Sequence, residues 1–237
     1  MAAPENVGIK NLQGKWQMVS LMHKYTFSIT FRKKKLGNRN SGSHPNNPSD
    51  RKSQNKSLSD AFDPVLSLQG IGWLTRKALG AATITQHLQE TPTTGEDNAP
   101  TINIKIDQFI TGGLKGSVEN RILDWHYREH TDWLFGTVKG RSRYSTLQKV
   151  QEEGKNEGAN DVDIKYLADG WLKETEDSEV VESFVDNDGN KWTAWQVWGF
   201  AEIGGERKLT RRFVVRKKDK KEVIKVRLVY DYLGALE

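Results

Sequence analysis

The sequence predicts an all-β protein, an up-and-down barrel of about nine or ten antiparallel strands with a short helical lid after the first strand. Three observations support this fold. Short segments rich in alternating apolar and polar residues recur at even spacing over residues 81–232. Gly-rich, Asn-rich or Lys-rich turns separate the later segments. One helical pattern follows the first strand, an order that favours a barrel over a sandwich. The 237 residues suit a single domain of this kind.

The first strand is predicted over residues 11–18, and a helical region begins at Asp63-Pro64. Proline fits the first turn of a helix, and Asp63 is a candidate N-cap. Gly70 and Gly72 divide the region into two short helices, the second over residues 73–79. The apolar residues of the region follow roughly helical spacing: they are Val65, Leu68, Ile71, Leu74 and Leu79.

The remaining strands are predicted from alternation and from the turns between them. In one of them Ile102, Ile104 and Ile106 alternate with polar residues, which gives the strand one apolar face. Residues 125–131 are predicted to separate two strands, and residues 145–165 to form a polar, acidic loop. The predicted strands after the helices cover residues 81–90, 101–110, 114–124, 132–144, 180–186, 191–202, 207–216 and 222–232.

Composition excludes several kinds of protein. There is no cysteine, so disulfides, thiolate metal sites and a cysteine nucleophile are excluded. No apolar run reaches the roughly 18 residues of a membrane-spanning helix, and no membrane insertion is expected. Residues 1–10 lack the basic and apolar segments of a secretory signal, so a cytoplasmic location is expected.

Basic charge is concentrated in residues 19–54. The chain has a formal net charge of +5. Residues 19–54 contain eight Lys or Arg against the single acid Asp50, and the rest of the chain is slightly acidic. The excess of positive charge therefore belongs to one segment, and a nucleic-acid partner is not expected.

The same segment has a composition that predicts a disordered insertion, because residues 32–54 are almost wholly polar and basic. One hypothesis is a translated intron. Val19-Ser20 can be encoded by a donor-like GTAAGT and Gln54 by an acceptor-like CAG, and removal joins Met18 smoothly to Asn55. The alternative is a genuine basic loop. The remainder of residues 1–237 is predicted to be one barrel domain.

Gly14-Lys15-Trp16 on the first strand resembles the G-x-W signature of lipocalins. The helical pair after the first strand resembles the lid of fatty-acid-binding proteins. In lipocalins the tryptophan plugs the closed end of the barrel and a late-strand arginine packs across it. The resemblance implies structural roles for Gly14 and Trp16, with Arg227 as the candidate arginine.

A closer resemblance is to the fungal lipocalin-like (calycin) proteins of the pericyclase, or Diels-Alderase, group. It covers nearly all of residues 8–18 and 55–236. It implies a cyclase of the Diels–Alder kind in secondary-metabolite biosynthesis. The segments that carry the resemblance are residues 69–77, 111–116, 123–132, 135–143, 192–200 and 228–232.

The expected ligand is a small hydrophobic metabolite, with a polyene-like substrate as the specific prediction. A pericyclic reaction needs no nucleophile, metal or redox cofactor, so no cofactor is expected. It needs the reacting ends held together and a hydrogen-bond donor aimed at a carbonyl. A non-catalytic carrier of a lipophilic ligand is the alternative, since it needs the same cavity. The sequence does not determine the oligomeric state.

Candidate site residues come from the aromatic and polar positions of the strands, the lid and the 125–133 cluster. Alternation places Trp195 and Trp198 on opposite faces of one strand, without showing which face is inside. His126 and His130 lack a third ligand of obvious spacing, so no metal site is predicted. The catalytic candidates are His126, Arg128, Arg141 and Tyr230. The substrate-binding candidates are Trp73, Arg76, Trp125, His130, Trp133, Tyr144, Trp195, Trp198, Arg211 and Tyr232.

Overall fold

The computed structural model describes residues 1–19, 58–112, 114 and 116–237. Within these residues ten strands form one antiparallel sheet in the order β4-β3-β2-β1-β10-β9-β8-β7-β6-β5. The predicted all-β barrel is therefore confirmed. The strands are β1 (Gly14–Met18), β2 (Ile84–Thr94), β3 (Pro100–Ile110), β4 (Val118–Ile122), β5 (Arg128–Asp132), β6 (Gly136–Ser145), β7 (Val180–Asn187), β8 (Trp192–Ile203), β9 (Glu206–Lys217) and β10 (Val223–Gly234).

The sheet curls until the edge strand β4 approaches β6 and β7 near the other edge, which makes the barrel nearly closed. The edges are β4 and β5. Just beyond β4, Trp125 donates its backbone N–H to the carbonyl of Ser142 on β6 at 2.9 Å. Asp124 forms an isolated bridge with Arg143, and Arg121 on β4 donates to Ser183 Oγ on β7 at 2.7 Å. Side-chain and bridge contacts thus replace a regular ladder at this seam.

Two predicted loops contain regular structure. The segment predicted over 125–131 includes most of β5, a short strand with polar and charged residues on both faces. The loop predicted over 145–165 is wrong. It contains α3 (Leu147–Glu153), a 3-10 helix (Gly154–Glu157) and most of α4 (Asp161–Ala168), and α5 (Lys173–Glu176) follows.

Helices α3 and α4 form because their apolar residues share one face and their ends are capped. Thr146 accepts a hydrogen bond from the Lys149 backbone at 3.2 Å, and Asn160 with Asp163 forms a capping box. Their apolar faces pack on the outside of the barrel over β7, β8 and β9. As a result β8 is buried on both faces, which hides its inward side from a sequence pattern.

The lid consists of α1 (Asp63–Leu68) and α2 (Trp73–Ala81), close to the predicted pair. The prediction that Asp63 caps α1 is wrong. Phe62 is the N-cap and makes no side-chain cap bond, while Asp63 lies in the first turn and accepts from Arg76 Nε at 3.1 Å. Lys217 at the end of β9 donates to the carbonyl of Leu68 at 3.4 Å, so α1 lies over that end of the barrel.

The opposite end is filled by Trp16, which is fully buried and donates Nε1–H to the carbonyl of Leu12 at 3.0 Å. Its indole meets Tyr232 edge-on, with ring centroids 4.9 Å apart. Gly14 permits this packing, because it has φ +150° and a Cβ there would lie 2.6 Å from Tyr232 Cε2. The implied role for Arg227 is wrong: alternation on β10 turns it outward, where it faces Asp60.

The segment predicted to be an insertion, residues 19–54, lies outside the described residues apart from Val19. The intron hypothesis therefore stays a prediction. The part of the chain that the structure describes contains no helix with the length and apolar composition needed to cross a lipid bilayer.

Candidate functional site

The barrel encloses a cavity of about 450 Å³, a volume within the usual range for small-molecule sites. Strand alternation decides which residues reach it. On β8 the inward set is Trp192, Ala194 and Gln196, and on β9 it is Arg211, Phe213 and Val215. Phe62 and Val65 of the lid close the cavity at one end. Apolar side chains line the cavity on β6 to β9 beneath the lid, and polar side chains line its deep end and the side formed by β4 and β5.

The strand register gives each inward residue a height in the barrel. Ala194 is paired with Val215, Gln196 with Phe213, and Trp198 with Arg211. The lid lies beyond the Trp192 end of β8, and the Trp16 plug lies near the other end, level with Tyr232. The cavity therefore has apolar walls on β6 to β9 beneath the lid and a polar floor, while Arg128 and His130 line the β5 side at the height of Ala194 and above. We use "polar floor" for Glu119, Arg121, Ser183, Gln196, Arg211 and Tyr230.

Arg121 is the fully bonded cation of the polar floor. It donates Nε–H and Nη2–H to Glu119 Oε2 at 3.0 and 2.7 Å, and Nη1–H to Ser183 Oγ at 2.7 Å. Gln108 Nε2 donates to the other carboxylate oxygen of Glu119 at 3.4 Å. Glu119 is therefore committed to partners within the protein. Gln196 Oε1 is likewise occupied, since it accepts from Trp198 Nε1 at 2.6 Å.

Arg211 is different. Only 5 % of its surface is exposed, and its Nε and Nη2 atoms have no hydrogen-bond partner among the described residues. Its guanidinium carbon lies 3.7 Å from the Trp198 ring centroid and 4.9 Å from that of Tyr230. These rings hold the guanidinium by cation–π contact but accept no conventional hydrogen bond. Arg211 thus presents a fixed cation with unused donors to the cavity.

The pKa values of the polar floor follow from burial and from the two arginines. Burial raises the pKa of the Tyr230 hydroxyl, and the nearby Arg211 only partly opposes this, so Tyr230 is a neutral donor. Burial also acts to raise the pKa of Glu119, but Arg121, Arg211 and His130 outweigh it and hold that pKa below its ordinary value. Glu119 is therefore an anion, and the polar floor has two arginines against one carboxylate.

Several predicted site residues line the cavity: His126, Arg128, His130, Arg211 and Tyr230. Arg128 is committed to Asp124, with both guanidinium-to-carboxylate distances at 2.6 Å. His130 Nε2 lies 3.8 Å from Asp132. Among the described residues no three His, Asp or Glu side chains lie together as a metal site. A role in binding or catalysis for these five residues stays a prediction.

Trp195 lies on the outer face of the barrel, which corrects the expectation that it lines the cavity. Trp195 packs under α3 and α4 and donates to Glu182 at 3.0 Å. Arg141 lines part of the cavity while its guanidinium stacks 4.3 Å from the Trp125 ring and 4.5 Å from the Tyr127 ring, and its predicted role stays a prediction. Phe184, its partner across the ladder, belongs to the same outer cluster as Trp195.

The remaining candidates lie at the surface or below the cavity. Trp73 and Trp133 are exposed, and Arg76 is held by Asp63 and by the carbonyl of Ile71. Trp198 supports the polar floor from beneath, Tyr232 packs on Trp16, and Tyr144 packs against the same core. Trp73, Trp133 and Arg76 do not reach the cavity in the described structure.

Four further polar residues that were not predicted as site residues line the cavity: Glu119, Arg121, Gln86 and Gln196. Charged or amide residues inside a barrel are costly to bury, so such residues on the inward face of a strand are a functional signal. Ile104 and Ile106 on β3 are fully buried, and they pair with Arg121 and Glu119 on β4. The alternation of β3 together with this pairing could have identified the two charges.

Glu90 lies on the same face of β2 as Gln86 and Leu88, toward the plugged end. Burial raises its pKa from 4.5 to about 7, against a smaller lowering by the Leu12 backbone. A carboxyl whose folded pKa exceeds its unfolded value stabilises the fold below the unfolded pKa, and this stability is lost as pH rises through the folded pKa.

We therefore expect Glu90→Gln to raise the free energy of unfolding by about 1–3 kcal/mol at pH 8 and to change it little at pH 4.5. Urea unfolding at the two pH values measures this. Glu129→Gln, at a side chain that is 66 % exposed, is the matched control and should shift neither value. An equal effect of Glu90→Gln at both pH values would contradict the assignment.

The plugged barrel, the helical lid and the enclosed cavity together define a lipocalin-like (calycin) barrel. Two curated relatives identify the particular family. The chain is 32 % identical to the probable pericyclase scpY of Mollisia scopiformis over 78 % of its length and 89 % of that protein. It is 30 % identical to the pericyclase pydY of an Acremonium species over 79 % of its own length and 92 % of that protein. The chain belongs to this pericyclase family of enzymes, which confirms the resemblance.

Among solved structures, the chain is similar to the REP1-NXSQ fatty acid transporter, with 11 % identity, 94 and 98 % coverage and a TM-score of 0.44. It is similar to the fluorescent protein UnaG with 10 % identity, 94 and 98 % coverage and the same TM-score. Structural similarity at this identity and TM-score supports no conclusion about function. No family model matches the chain.

Proposed function

We propose that the protein is a pericyclase that performs a Diels–Alder-type cyclisation of a hydrophobic polyene-like substrate inside the barrel, in fungal secondary-metabolite biosynthesis. The observation that supports this most is the combination of an apolar chamber with one uncommitted buried cation. The chamber of about 450 Å³ can fold an apolar chain, and Arg211 offers donors that no described residue uses. Membership of the pericyclase family gives the class of reaction.

The reaction balances without any added group. In a Diels–Alder step a diene and an alkene rearrange three π bonds into two new carbon–carbon σ bonds and one new π bond. No atom enters or leaves, and the product is an isomer of the substrate. The protein has only to hold the reacting ends together and to stabilise the charge that gathers on an activating carbonyl.

Each part of the chamber has a task in this proposal. The upper walls, with Phe62, Phe213 and Val215, confine the chain in a folded shape, and such positioning can lower a barrier by up to about 7–11 kcal/mol. Arg211 donates to a substrate oxygen from a site shielded from water, where a fixed donor is most effective. Glu119 and Arg121, already satisfied by each other, keep the polar floor in place.

Disruption of the gene in its host, followed by metabolite profiling, tests the function. We expect loss of a cyclised product and accumulation of an isomer of equal mass that retains the absorption of a conjugated polyene. A scrambled mixture of stereoisomers would have the same meaning, because the uncatalysed reaction then takes over. An unchanged metabolite profile would contradict the proposal and favour a carrier role.

Filling the chamber should abolish activity without unfolding the barrel. Ala194 is an inward residue between Val185 and Val215, so Ala194→Phe projects a ring into the cavity. We expect substrate turnover to fall at least about 100-fold, a loss of about 2.7 kcal/mol of transition-state stabilisation, because the ring occupies the space in which the substrate folds. Thr193→Phe, one residue along on the outer face, is the matched control. Equal activity of the two variants would mean that the reaction does not occur inside the barrel.

A further inference from the structure

Arg211 forms no ion pair with any of the described residues. Glu119 is the carboxylate on the polar floor, and it makes its bonds to Arg121 and Gln108. Ser183 is also bonded to Arg121, and Gln196 to Trp198. The carboxylate, the serine hydroxyl and the Gln196 oxygen of the polar floor are therefore bonded to groups other than Arg211.

A buried and unbonded guanidinium is a costly arrangement. The nearby Glu119 carboxylate compensates the Arg211 charge only in part, because Glu119 is bonded to Arg121, and each Arg211 donor left without a partner adds to the cost of burial. Arg211 nevertheless lies between the rings of Trp198 and Tyr230, with 5 % of its surface exposed. The rings fix its position, so it cannot swing out to water. The Arg211 guanidinium is therefore suited to bind a ligand that carries a negative charge.

The position of Arg211 also gives the ligand a direction. Arg211 is paired with Trp198 on one side and Leu228 on the other, two residues deeper than Phe213 and four deeper than Val215 along β9. From the polar floor to the lid the walls on β6 to β9 become apolar, with Val138, Val185 and Val215 facing the cavity, and only the β5 side remains polar. A ligand with its charged end on Arg211 therefore has its apolar part under α1.

We infer that Arg211 binds an anionic oxygen group at one end of the substrate, so that the substrate is an amphipathic anion with its head on the polar floor and its polyene chain toward the lid. This rests on the proposed function, because it describes the substrate of the same chamber. The neutral Tyr230 hydroxyl and the bidentate donors of Arg211 would share the anion. Planar guanidinium groups are the usual partners of such oxygen pairs.

Binding of two fluorescent probes tests the inference. The probes are cis-parinarate, a conjugated polyene carboxylate, and its methyl ester, which has the same chain without the charge. We expect the full-length protein to bind parinarate more tightly than the ester. Arg211→Leu should weaken parinarate at least about 10-fold, the effect of one charged hydrogen bond, and leave the ester unchanged. Arg211→Lys, which retains the charge, should recover part of the difference.

The control is Arg227→Leu, which removes a positive charge from the outer face one residue from Leu228, the partner of Arg211. It should change neither titration. Thermal unfolding of each variant shows that the barrel is intact, and Arg211→Leu should unfold no earlier than the unaltered protein.

Three results would overturn the inference. Equal binding of acid and ester by the unaltered protein would show that no anion site exists. Equal losses of both probes in Arg211→Leu would assign Arg211 a purely structural role. In either case the proposed function would survive if the purified protein still cyclised its precursor. Failure of both probes to bind would overturn the chamber itself, and the proposed function with it.

Discussion

Replacement of Arg211 by leucine is expected to lower the rate of catalysed cyclisation about 10²–10³-fold, the usual effect of removing one preorganised donor from a developing negative charge. The fold should not suffer. Arg211 is buried, and two of its donor atoms lack partners among the described residues, so an apolar side chain there removes unbonded donors and a charge that Glu119 compensates only in part. We therefore expect a thermal midpoint equal to or higher than that of the unaltered protein.

Single-turnover rates with precursor isolated from the disruption strain measure the effect, with circular dichroism melts alongside. Arg211→Lys should recover part of the rate, because lysine retains the positive charge but lacks the planar guanidinium that donates two parallel hydrogen bonds. Arg227→Leu on the outer face should retain the full rate. A structural residue would behave in the opposite way: its loss would lower the melting temperature and leave the rate per folded molecule intact.

The second large effect is expected at the plug. Trp16→Ala should lower the free energy of unfolding by about 3–5 kcal/mol, a large part of the roughly 5–15 kcal/mol that holds a domain of this kind together. Trp16 is fully buried, bonds to the carbonyl of Leu12 and packs edge-on against Tyr232. Its removal leaves a cavity at a closed end that has little freedom to collapse.

Urea unfolding at pH 5 and 25 °C measures this loss. Trp73→Ala is the matched control, since Trp73 is 68 % exposed and its truncation should change stability by no more than about 0.5 kcal/mol. Trp16→Phe, which keeps an aromatic ring at the plug, should lose less than Trp16→Ala. Similar stabilities of Trp16→Ala and Trp73→Ala would mean that the indole does not close the barrel.

The later strands were predictable because their signals were local. Strands β7 to β10 are rich in β-branched and aromatic residues and are joined by turns such as residues 186–190 and 204–205, so their predicted bounds fall within a few residues of the observed ones. Strand β5 was missed because its five residues are all polar or charged. Its pairing with β6 comes from the hairpin and not from its own pattern.

The helices between β6 and β7 were missed for a different reason. Their polar residues dominate the composition, but Leu147, Val150, Ile164 and Leu167 are buried at helical spacing, and Asn160 with Asp163 forms a capping box. The polar composition of this segment favours a loop, whereas its apolar spacing and its capping box favour helices. The error affects the site, because these helices cover the outer face of β8 and place Trp195 under them.

The candidate site was predictable in kind but not in detail. Aromatic and polar residues on late strands were expected, and Arg211 and Tyr230 do line the cavity. Which face of β8 turns inward depends on how the sheet closes, and both of its faces are buried. The polar floor depends on β4 meeting β7 across the seam, through Arg121 and Ser183. Contacts between residues this far apart in the chain produce no recognisable local sequence pattern.

Incubation of the isolated linear precursor with the purified full-length protein, followed by chiral analysis of the products, measures most directly whether the barrel interior shapes a reaction. We expect faster formation of one stereoisomer of the same mass as the precursor, and a return to the uncatalysed mixture with Ala194→Phe. A product ratio and rate identical with and without the protein would contradict the assignment of a reaction to this chamber.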